Sequence, residues 1–74
     1  MNQTFNARGA LIASSWDYAG NPLTCCFLMH DEQEFEVRDA DDLESVLRHC
    51  GRIVSIVGIK TAPNEICICS VKVD

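Results

Sequence analysis

Apolar and polar residues alternate with a period of two at both ends of the chain, and switch once to a helical period between them. Residues 9–18 are apolar or small and read as a first strand, closed by the tight turn of Ala19, Gly20, Asn21 and Pro22. Residues 23–30 follow as a second strand. Leu23, Cys25, Phe27 and Met29 share one of its faces, while Thr24, Cys26, Leu28 and His30 share the other. After a turn at Asp31, Glu32 and Gln33, a third strand over 34–38 sets Phe35 and Val37 between charged neighbours, the pattern of a half-buried strand. A fourth strand over 52–60 and a last one over 65–73 are rich in Ile and Val, with a turn at 61–64 between them. Residues 1–7 are polar and read as a loose N-terminal arm or the start of the first strand.

The helical stretch covers residues 39–51. Leu43, Val46, Leu47 and Cys50 fall at i, i+3, i+4 and i+7 and make one apolar stripe. Asp41 with Glu44, or Asp39 with Asp42 one register earlier, provides a capping-box-like start. Acids crowd the N-terminal end, Arg48 and His49 sit near the C-terminal end, and Gly51 supplies a left-handed stop. The element order is therefore β-β-β-α-β-β, and the fold class is mainly β with one helix.

Length limits this architecture to a single domain of 74 residues. A composition of 47% hydrophobic and 23% charged residues is that of a globular chain rather than a disordered one. No apolar run approaches the ~20 residues that span a bilayer, so no membrane association is expected. The N-terminal residues lack a basic start followed by an apolar core, which reads as a cytoplasmic protein. Five cysteines without an export signal, and odd in number, are expected to be reduced. Six cations stand against eleven acids for a net charge of −5, and eight of those acids lie between Asp31 and Glu44. Arg8, Arg38, Arg48, Arg52, Lys60 and Lys72 are scattered singly. Such a surface repels phosphate backbones and argues against nucleic acid as the partner.

The strand order around a short helix resembles the oligonucleotide/oligosaccharide-binding (OB) fold, most closely its small stand-alone bacterial versions, many of unknown function. The residues that carry the resemblance are Gly9-Ala10-Leu11-Ile12, Trp16-Asp17-x-x-Gly20, Glu34-Phe35-Glu36-Val37 and Val54-Ser55-Ile56-Val57-Gly58. It covers residues 8–73 and makes 8–74 a single OB-like domain. It implies a five-stranded barrel closed in the order 1-2-3-5-4-1, with the helix plugging one end between strands three and four. The long, bent first strand of that fold suits Gly9 and the small Ala13, Ser14 and Ser15. The alternative architecture is a small α+β domain of the β-grasp type, in which a helix also packs across a mixed sheet. Members that bind oligonucleotides use aromatic and cationic residues on the outer face of strands two and three. Here that face carries Thr24, Cys26, Leu28, His30, Glu34, Glu36 and Arg38, so no nucleic-acid-binding residue is transferred.

Candidate chemistry is thin. Cys25-Cys26 and Cys67-x-Cys69 lack the Cys-x-x-Cys spacing of structural zinc, and Cys26 and Cys67 fall two strand steps, roughly 10 Å, apart. Cys50 sits at the wrong end of the helix for a low-pKa thiolate. His30 and His49, the only histidines, read as a solvated strand residue and a helix-end residue, and the acidic run lacks the ligand order of a calcium loop. No catalytic, metal or cofactor-binding residue is assigned, and no enzyme activity is expected. The outward row of strands two and five, Cys26, Leu28, Cys67 and Cys69, is apolar enough to serve as a contact surface for a protein partner or a second copy. Trp16 and Tyr18 near the end of strand one are candidate stacking residues for the alternative, weak single-stranded nucleic-acid or small-ligand binding.

Overall fold

Alternating inward positions at Phe5, Ala7, Gly9, Leu11 and Ala13 carry the first strand, β1, from Gln3 to Trp16 in the computed structural model, which describes residues 3–73. Residues 3–7 are thus the start of that strand and not a loose arm. They pair with the fourth strand, and Phe5 meets Phe35 edge-on at 5.1 Å between ring centroids. Met1 and Asn2 lie outside the described residues. The remaining elements are β2 (Pro22–Met29), β3 (Glu34–Ala40), α1 (Leu43–Arg48), β4 (Ile53–Ala62) and β5 (Glu65–Val73).

The strands close into a barrel in the order β1-β2-β3-β5-β4. All pairings are antiparallel except β3 with β5. This arrangement is compatible with an OB-like fold and excludes the β-grasp alternative, whose sheet is open. β1 serves two partners, lying against β4 over 3–10 and against β2 over 9–16. Register shifts at Ala13, Ser15 and Trp16 let it turn from one to the other. No helix among the described residues is long and apolar enough to cross a membrane.

Inside the barrel, Leu11, Phe27 and Phe35 form a continuous row across β1, β2 and β3, joined by the pairings Leu11–Phe27 and Phe27–Phe35. Cys25, Val37, Val54, Ile56, Ile66 and Ile68 complete the strand core, and no polar or charged side chain is buried among the described residues. At the end of β3 the parallel ladder to β5 holds Asp39 and Ala40 against Cys67 and Ile68, and the Asp41 amide donates to the Ile68 carbonyl at 3.0 Å.

That ladder shortens the helix. α1 starts at Leu43 rather than at 39, and its cap is Asp42, whose carboxylate accepts from the Ser45 amide at 3.1 Å. Neither Asp41 nor Asp39 caps it. The last turn tightens through His49 and Cys50 amides bonding three residues back, and Gly51 follows at φ +90°. Gly51 and Arg52 then tie the helix exit to β1, the Gly51 amide donating to the Leu11 carbonyl and the Leu11 amide to that of Arg52. Val46 is buried, and Leu47 and Cys50 pack beside it, so the helix seals one barrel mouth. Leu43, the first member of the expected stripe, stays exposed at the rim.

Candidate functional site

With the core complete, the outward rows of the sheet decide what the molecule can touch. On β1 the outward residues are Ala10 and Ile12, on β2 Leu28 and Cys26, and on β3 Glu34 and Glu36. Pairing aligns them in two tiers. Ala10 stands opposite Leu28 and Leu28 opposite Glu34; Ile12 stands opposite Cys26 and Cys26 opposite Glu36. On its other side Ala10 pairs with Ile53 of β4. Ile12 is 47% and Ile53 49% exposed, and Leu28 and Cys26 are half-buried. A band of apolar side chains therefore crosses β4, β1 and β2 and ends at a margin of two acids on β3.

Two shallow concavities mark this face. One of about 540 Å³ is lined by Ala10, Leu28, Met29 and Ile53, with Arg8, His30 and Glu32 also on its wall. The other, about 470 Å³, is lined by Ser14, Cys26, Glu34, Glu36 and Asn64. Among the described residues neither Glu34 nor Glu36 has a cation paired with it. Arg38, the third outward residue of β3, is engaged elsewhere, donating to Glu65 at 3.1 Å. Burial, and next the Glu34 carboxylate beside it, push the Cys26 thiol up.

Of the four expected contact residues, the structure groups only Cys26 and Leu28. Cys67 is half-buried between Asp39 of β3 and Ile59 of β4. Cys69 is exposed at the irregularity where Gly58 faces Ile68 but Val57 faces Ser70. Both lie across the β3 acids from Leu28, and Ala10, Ile12 and Ile53 take their place beside it. A signal for the irregularity was present: apolar positions 66 and 68 change phase to 71 and 73, which is how a bulge reads in a strand pattern.

Trp16 is 57% exposed and Tyr18 fully so. Trp16 precedes and Tyr18 lies within a turn organised by Asp17, whose carboxylate accepts from the Ala19 and Asn21 amides at 2.9 Å each. The Asn21 amide is the main reason this carboxyl lies below its usual range. His30 is exposed, and His49 places Nδ1 2.6 Å from the Ser45 carbonyl one helical turn back. Among the described residues no three His, Cys, Asp or Glu side chains gather as a metal would need.

The remaining thiols sit inward. Cys25 is buried against Cys50 where the helix seals the barrel, and burial followed by the neighbouring Cys50 pushes its thiol up to about 12. Burial also raises Cys50. Since the thiolate is the reactive form, Cys25 should be inert in the folded state. Timed iodoacetamide labelling at mildly alkaline pH is expected to modify Cys69 first and Cys25 only after denaturation. Peptide mapping that finds native Cys25 labelled as fast as Cys69 would contradict the sealed mouth.

Comparison with known proteins returns no matching family model, no matching curated protein and no matching solved structure.

Proposed function

We propose that this chain is a small OB-like binding module that docks another protein on the outer face of β1 and β2. The observation that carries the reading is the contiguous band of Ile12, Cys26, Ala10, Leu28 and Ile53 outside a barrel whose core is already filled without it. Exposed apolar residues scattered singly need no explanation, but five aligned through strand pairing form one surface. The acids on β3 support a protein partner over nucleic acid, because a phosphate backbone laid on β2 and β3 would meet Glu34 and Glu36.

Leu28→Glu tests the surface. Leu28 faces outward at the centre of the band, so the substitution should leave the circular dichroism spectrum and the melting transition nearly unchanged. It should abolish recovery of a protein partner that wild-type chain retains from nuclease-treated lysate. An unchanged partner and an unchanged sedimentation profile in the variant would sink the proposal. Loss of the wild-type partner on nuclease treatment would do so equally.

A further inference from the structure

We infer that the segment this face receives is an amphipathic helix of a different protein, with one apolar stripe flanked by Lys or Arg. The inference rests on the docking reading above and adds the chemistry of the occupant. The two concavities differ in character, and residues paired across β2 and β3 line them. The mainly apolar one holds Leu28, with Arg8, His30 and Glu32 on its wall, and the acidic one holds Glu34, the residue paired with Leu28 across β2 and β3. An occupant that fills both must present aliphatic groups beside cations.

Its form follows from the backbone. Over Cys26 to Leu28, β2 is flanked by β1 on one side and β3 on the other, so an added strand finds no free ladder on this face. A helix satisfies its own backbone and needs none. Spacing agrees with this. Glu34 and Glu36 lie two residues apart on one strand face, about 7 Å, and cations at i and i+4 of a helix rise about 6 Å. The band from Ile53 to Glu34 crosses three strand spacings, about 14 Å, enough to seat a helix 10–12 Å wide, roughly.

Charge selects against the other occupants. A second copy brings its own net −5 and its own acid margin to the contact, and a nucleic acid brings phosphates. Neither Glu34 nor Glu36 is neutralised within the described residues, whereas Glu44 and Glu65 have Arg48 and Arg38. A partner's cations would complete the pairs that the described residues leave open, and rim charges of this kind set partner choice and association rate.

The test uses three dye-labelled synthetic peptides of about 18 residues. One carries a leucine stripe flanked by lysines at i and i+4, its twin has glutamates in place of the lysines, and a third scrambles the first so that no stripe forms. Fluorescence anisotropy should show the lysine peptide binding and the other two failing. Binding should weaken about tenfold in Glu34→Gln/Glu36→Gln and fall as salt rises. It should stay unchanged in Asp41→Asn/Glu44→Gln, which removes the same charge from the helix end. Equal weakening by both double variants, or by neither, would overturn the inference. If the glutamate twin binds as well and Leu28→Glu abolishes it, the surface stands and the choice of a basic occupant falls. If no peptide binds while Leu28→Glu still removes a partner, the same part falls. Self-association through this face, seen as a concentration-dependent sedimentation shift lost in Leu28→Glu, would overturn it too.

Discussion

Replacing Phe27 by alanine is expected to leave little folded protein at 37 °C. Phe27 is fully buried and sits at the centre of the Leu11–Phe27–Phe35 row that joins three strands of the barrel. Deleting a buried phenylalanine costs about 3–5 kcal/mol, from lost transfer energy and the cavity left behind. A domain of this size has roughly 4–11 kcal/mol in total, and small domains fall toward the lower end. The row offers little relief, since Leu11 is held from both sides by β2 pairing and by the Gly51 and Arg52 backbone. Chemical denaturation should show the midpoint collapse, with Phe27→Leu losing only about 1 kcal/mol. A Phe27→Ala protein that melts within a few degrees of wild type would mean that the core is elsewhere.

Gly9→Ala is expected to be nearly as damaging, although it adds a single methyl group. Gly9 is buried, pairs with Met29 on one side and Val54 on the other, and lies where β1 passes from one partner to the other. A β-carbon there would collide with the Leu28 carbonyl oxygen and come within 3.0 Å of the tip of the Phe27 ring. The carbonyl belongs to a paired backbone and cannot rotate away as a side chain could. Overpacking of this sort costs about 3 kcal/mol, which for a chain of this length lowers the melting temperature by roughly 10–25 °C. A calorimetric scan of the variant decides it. A fall of a degree or two would show that β1 and β2 can separate at low cost, and that the bend does not depend on the missing side chain.

Much of the site was legible only in part, for reasons that particular residues make clear. The outward orientation of Cys26, Leu28 and Cys67 follows from alternation around Phe27 and Ile66, since the core side of each strand is the one that excludes water. What alternation cannot supply is which outward residues stand side by side. Ala10 and Ile12 join Leu28 and Cys26 through a register that residues on two different strands share, and nothing local to either strand records it. The helix length failed for a related reason. The propensities and capping acids from Asp39 onward favour a long helix, but the parallel pairing of Asp39 and Ala40 with β5 wins because ladder bonds and core contacts outweigh a local preference.

By itself the sequence determined the number and order of the strands, the inward rows of the second and third, the single interposed helix, and an excess of acids over cations. These are local or additive properties, encoded in period and composition, and each element reports its own. Tertiary structure alone decided that residues 3–7 are strand, that Cys67 and Cys69 part from Leu28, and that an apolar band meets Glu34 and Glu36. Those are matters of registry between segments distant in the chain. Registry is set by how the whole barrel closes around Phe27 and bends at Gly9, and no single strand contains that information.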